Sequence, residues 1–112
     1  MDAPFSPFVK KDNYIFISGQ IHLKNGKLLE GTIEEKTHQI MKNLQAILEQ
    51  ADATFNDVVK TTIYTTDMSL YGNVNEVYAS YFTDSFPARE MVCVKELPLG
   101  AVLEISMVAY KE

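Results

Sequence analysis

The stretch FPAREMVCVKELPLGAVLEI, Phe86 to Ile105, sets two charged side chains inside otherwise apolar strands. Successive strand residues point to opposite faces, so the first half divides Arg89, Met91 and Cys93 from Glu90, Val92 and Val94. Pro98 to Gly100 reads as a turn. The return separates Leu103, Ile105, Met107 and Ala109 from Glu104, Ser106 and Val108. This pattern predicts a terminal hairpin. Arg and Glu are rarely fully buried unless paired or used. Arg89 brings a rigid five-donor fork that suits a carboxylate, and Glu104 brings a base or an acceptor. An ordinary ion pair, or two solvent-facing charges, also explains the spacing. Used together, the two residues fit a small anionic substrate.

Upstream of Pro87, Asn73-Val74-Asn75-Glu76 has the spacing of an N-cap and its third helical residue, which predicts a helix to about Thr83. Val74, Val77, Tyr78, Tyr81 and Phe82 form its apolar stripe. Val58 to Thr66 (VVKTTIYTT) is a strand of β-branched residues, and its threonines are explained by strand propensity alone. Thr32-Ile33-Glu34-Glu35 is a capping box. Behind it Ile33, Thr37, Ile40, Leu44, Ile47, Leu48 and Ala51 recur at helical spacing, so this helix should lie on a sheet with one face. Asn25-Gly26 is a tight-turn signal, and Tyr14 to Gln20 (YIFISGQ) is a strand with Gly19 near its end. Met1 to Pro7 reads as an extended arm entering a strand near Phe8.

Strand runs separated by two one-sided helices predict an α+β fold, one β-sheet with both helices packed on one face. The opposite face then keeps apolar residues, and self-association is the simplest way to cover it. At 112 residues the length prior gives a single domain over 1–112. A formal charge of −5 disfavours nucleic acid, whose backbone is bound by clustered Lys and Arg. A lone Cys93 excludes an internal disulfide framework and fits a reducing, cytoplasmic setting. No basic-then-apolar leader or membrane-length apolar run is expected to direct the chain elsewhere. His22 and His38 have no companion ligands at zinc spacing, so no metal is expected, and His22 reads as a surface residue of a turn. Tyr71, Tyr78 and Tyr81 read as packing residues.

Pro87-Ala88-Arg89, Leu97-Pro98 and Leu103-Glu104-Ile105 together resemble the signature of the RidA (YjgF) family of enamine/imine deaminases. The resemblance extends to Ile17-Ser18-Gly19-Gln20-Ile21, to Asp57-Val58-Val59-Lys60-Thr61-Thr62 and to Val74-Asn75-Glu76-Val77-Tyr78. Several separated motifs in the right order are more specific than any one of them. The resemblance implies a chorismate-mutase-like fold and a homotrimer with ligand clefts between subunits. It implies hydrolysis of 2-aminoacrylate, 2-iminobutanoate and related compounds to 2-oxo acids and ammonia, without a cofactor. Arg89 would bind the substrate carboxylate, and Glu104 would position or activate water. Ser18, Gly19 and Asn75 would line the cleft.

Two positions depart from the pattern. Ser6-Pro7-Phe8 replaces the usual Gly-Pro-Tyr, so Phe8 would touch substrate without a hydroxyl. Met91 stands where a cysteine is common, and would keep backbone contacts. A trimeric protein that binds 2-oxo acids without turning over imines is the alternative function.

Overall fold

The computed structural model describes residues 3–112. Its main sheet has the strand order β1-β2-β7-β5-β6, with β1 Phe8–Lys11, β2 Tyr14–Ile21, β5 Val58–Thr65, β6 Ala88–Cys93 and β7 Leu103–Tyr110. A small ladder pairs β3 Leu23–Lys24 with β4 Lys27–Leu28. Its turn places Asn25 and Gly26 at φ 53° and 82°, the two positive values a type I′ hairpin needs. The helices are α1 Ile33–Gln50 and α2 Tyr71–Ala79.

Helix α1 starts where the capping box puts it. The Thr32 hydroxyl accepts from the Glu35 N–H at 3.1 Å, and the Glu35 carboxylate accepts from the Thr32 N–H at 2.9 Å. Thr37, Ile40, Met41, Leu44, Ile47 and Leu48 are buried against the sheet, the one-sided stripe expected. On the sheet they meet Ile15, Ile17, Ile63, Leu103, Ile105, Met107 and Ala109 in one core. The other face carries exposed Val9, Tyr14, Phe16, Val92 and Tyr110. This is the uncovered apolar face that the two one-sided helices predict.

The terminal hairpin does not form. β6 pairs in parallel with β5, and β7 lies between β2 and β5, antiparallel to both. Leu103, Ile105, Met107 and Ala109 are at most 2% exposed, which suits a central strand, whereas β6 has no fully buried residue and takes the edge. A parallel pair needs a long crossover, and the segment containing α2 supplies it.

The start of α2 also differs from expectation. Asn73 is not its cap; the first helical turn is the 3₁₀ segment Met68–Leu70, capped by the Asp67 carboxylate accepting from the Ser69 N–H at 2.9 Å. Helix α2 continues from there to Ala79, short of Thr83. Asn73 instead donates to the Glu34 carboxylate at 2.6 Å, tying the two helices together.

His22 is not a surface residue. It is 2% exposed and bridges two segments. The Val102 N–H donates to its Nε2 at 3.2 Å, so Nδ1 carries the proton and donates to the Leu29 carbonyl, also at 3.2 Å. Protonating Nε2 would set two donors against each other. Burial accordingly lowers the His22 pKa from its ordinary 6.5. Because the folded value is the lower one, the unfolded chain binds more protons between the two values. The contribution of neutral His22 is therefore full above 6.5 and is lost as pH falls from there through the folded value. In urea titrations from pH 8 to pH 5, wild type is expected to lose stability in that window and His22→Gln to lose less. Parallel curves would contradict the assignment.

Candidate active site

Register decides how Arg89 and Glu104 are placed. Thr61 pairs with both Arg89 and Met107, which puts Arg89 on the helix-covered face. Glu104 pairs with Tyr64, between the core residues Leu103 and Ile105, and therefore lies on the opposite face. Within one copy of the chain the two are neither an ion pair nor a shared site. The ion pair on the sheet is Lys60–Glu90, exposed at 3.0 Å.

Arg89 projects from the edge strand against α2. Its Nη1 donates to the Asn75 side-chain carbonyl at 2.6 Å and its Nη2 to the Tyr71 hydroxyl at 3.3 Å. The guanidinium carbon lies 5.5 Å from the Tyr71 ring centre and 5.3 Å from that of Tyr78, both within cation–π range. Tyr78 is itself fixed, its buried hydroxyl donating to Thr61 at 2.9 Å. Tyr71, Asn75 and Tyr78 follow one another at i, i+4 and i+7, so one face of α2 forms a cradle for the arginine. Pro87 and Phe86 join Asn75, Tyr78 and Arg89 around a cavity of about 230 Å³. Sequence reasoning singled out Arg89 and Asn75 but left Tyr71 and Tyr78 as packing residues. The helical spacing of the three was the available signal.

Glu104 belongs to a second cavity, of about 820 Å³, at the end of β2. The β2–β7 register runs from Ile17 directly to Gln20, so Ser18 and Gly19 form an irregularity in the ladder, a feature frequent beside active sites. The Ser18 hydroxyl donates to the Ser6 carbonyl at 2.6 Å and its N–H to the Pro7 carbonyl at 3.0 Å, holding the arm over the site. Glu104 packs directly on Gly19. A Cβ there would come within 2.4 Å of the carboxylate, so glycine is what lets the acid occupy this position. Burial raises the Glu104 pKa above its ordinary 4.5. Leu99, in the left-handed region at φ 60° and 75% exposed, also lines this cavity.

Phe8 and Met91 do not line either cavity; both pack against the core. For Phe8 the reason is register: it pairs with Ile17, so its ring points to the helix side, and the arm presents Phe5 and Pro7 to the cavity. Met91 pairs with buried Ile63, on the same side as Arg89.

Gly19→Ala tests the packing on Glu104. The glutamate is flexible and sits at a cavity, so the fold should persist while the carboxylate shifts. A displacement of this size is expected to lower kcat/KM by about ten- to a hundredfold with little change in melting temperature. Unchanged kinetics would contradict a working carboxylate at this position.

The architecture is the chorismate-mutase-like α+β fold, two helices on a mixed sheet, with Arg89 and Glu104 on opposite faces of that sheet. The model of the Endoribonuclease L-PSP family matches residues 1–111, and the chain belongs to that family, the RidA/YjgF proteins. A RutC family protein of Pyrococcus horikoshii is 45% identical, over 98% of this chain and 89% of its own length. The 2-iminobutanoate/2-iminopropanoate deaminase of mouse is 44% identical, over 96% and 81%. Among solved structures, RidA from an Antarctic Psychrobacter superposes with a TM-score of 0.92 at 36% identity, over 96% of this chain and 89% of that one. Yeast Mmf1 gives 0.95 at 33% identity, over 100% and 90%. No helix among the described residues is long and apolar enough to cross a membrane.

Proposed function

We propose that this chain hydrolyses 2-imino acids, formed from 2-enamines such as 2-aminoacrylate and including 2-iminobutanoate, to 2-oxo acids and ammonia. The observation that carries the reading is Glu104, a carboxylate raised in pKa by burial and seated on Gly19 in a cavity. Relatives at 40–44% identity bear deaminase names, which supports deamination at the level of the family.

In this reading the guanidinium of Arg89 binds the substrate carboxylate and so orients the neighbouring C=N carbon. Glu104 takes a proton from water as the oxygen bonds to that carbon. The C=N π electrons move to nitrogen, which takes that proton back from the carboxylic acid to give a carbinolamine. Glu104 then relays the hydroxyl proton to nitrogen, the C–N bond breaks, and ammonia leaves as the C=O bond forms. One water is consumed, and neither a redox nor a group-transfer cofactor is needed. Because the two residues occupy opposite faces, Arg89 of one copy works with Glu104 of another, in a homotrimer that also covers the apolar face around Phe16 and Tyr110. No nucleic-acid partner is proposed, since a chain of net charge −5 repels a polyanion.

The test is a coupled assay in which a dehydratase generates the imine in situ. Faster ammonia release with the protein than with buffer is expected. Saturable carboxylate binding without acceleration would replace this reading with a non-catalytic binding protein for 2-oxo acids.

A further inference from the structure

We infer that the Tyr71 hydroxyl is a second hydrogen-bond donor for the substrate carboxylate, held in place by the arginine it accompanies. This rests on the reading that Arg89 binds that carboxylate. A phenol has one proton to give and lone pairs to receive. Tyr71 spends a lone pair on Arg89 Nη2, at 3.3 Å, so its proton is left to point away from the guanidinium. Asn75 engages Nη1 from the other side at 2.6 Å. Together they fix the plane of the guanidinium while using two of its five N–H groups, which leaves donors on both terminal nitrogens for an incoming anion. Tyr71 is 46% exposed and Tyr78 is buried, so Tyr71 stands on the solvent side of the cradle, outside the lining of the cavity formed by Asn75, Tyr78, Phe86, Pro87 and Arg89. An anion that reaches Arg89 from solvent meets the Tyr71 hydroxyl together with the guanidinium. In a chain whose Phe8 offers no hydroxyl and turns into the core, Tyr71 is the phenol bonded to the anion-binding group, while the hydroxyl of neighbouring Tyr78 is spent on Thr61.

Tyr71→Phe removes the oxygen and keeps the ring over the guanidinium, so folding and the cation–π contact are preserved. The probes are 2-oxobutanoate and its neutral amide, titrated calorimetrically into wild type and variant. The expected result is a rise of about ten- to a hundredfold in Kd for the carboxylate with no change for the amide, roughly one lost hydrogen bond to a charged group. In turnover assays KM should rise by a similar factor while kcat changes much less. Equal weakening for both probes would make Tyr71 a merely structural prop and overturn the inference, as would equal Kd values in wild type and variant. A wild type that binds no carboxylate would overturn it as well. A wild type that binds carboxylate but does not accelerate imine hydrolysis would defeat the deaminase reading alone, with the ratio of Kd values still deciding the role of Tyr71.

Discussion

Glu104→Gln is expected to lower kcat by about 10²- to 10⁴-fold, the usual contribution of a positioned acid–base group, without lowering the melting temperature. The substitution keeps shape and hydrogen-bonding capacity, so the contact with Gly19 is preserved while the group can no longer accept a proton. Stability should hold or improve. Burial raises the Glu104 pKa above 4.5, so the ionised form is the costly one in the folded state. That cost is present above the folded pKa and is relieved as pH falls toward 4.5, because the folded chain is then the better proton binder. Gln removes it at every pH. A stabilised, inactive variant would be the signature of a residue kept for chemistry at the expense of the fold. A lower melting temperature with intact turnover would make Glu104 a structural residue and remove it from the mechanism.

Arg89→Ala should cost kcat/KM on the order of 10²- to 10³-fold, since both carboxylate affinity and orientation of the C=N carbon depend on the guanidinium. The fold should survive. Arg89 sits on an edge strand beside a cavity, and water can satisfy the Asn75 and Tyr71 oxygens it leaves. Arg89→Lys should recover little, because an ammonium offers a point charge where the cradle of Tyr71, Asn75 and Tyr78 is shaped for a planar group. Steady-state kinetics with circular dichroism of each variant decides the matter; activity close to wild type in either would remove Arg89 from the mechanism.

Features with a local cause were legible in the sequence. The capping box at Thr32, the Asn25-Gly26 turn and the alternation of Leu103 to Ala109 each depend on neighbours a few residues away, and each appears where the pattern puts it. Pairing partners are not local. Alternation assigned Arg89 and Glu104 each to one side of its own strand, but nothing in it told which strand lies beside which, so the pair read as two arms of one hairpin. Once β7 is inserted between β2 and β5, the two residues fall on opposite faces of the sheet. His22 was misplaced for a related reason: its partners, Leu29 and Val102, are brought to it by tertiary structure, and a histidine in a turn carries no mark of that. At α2, Asn73 and Glu76 mimicked a cap, while the working cap was Asp67 on a preceding 3₁₀ turn. Tyr78 read as part of an apolar stripe and Tyr71 as a packing residue, and only the position of Arg89 gives their rings, and the Tyr71 hydroxyl, a further task.

Opposite faces are the basis of the claim that one copy supplies the arginine and another the acid. The most direct measurement mixes Arg89→Ala with Glu104→Gln chains, unfolds and refolds them together, and assays imine hydrolysis. If sites are shared between copies, random assembly pairs an intact Arg89 with an intact Glu104 in about a quarter of the clefts, and activity returns to about a quarter of wild type. Activity no greater than that of the separate variants would contradict a site divided between subunits.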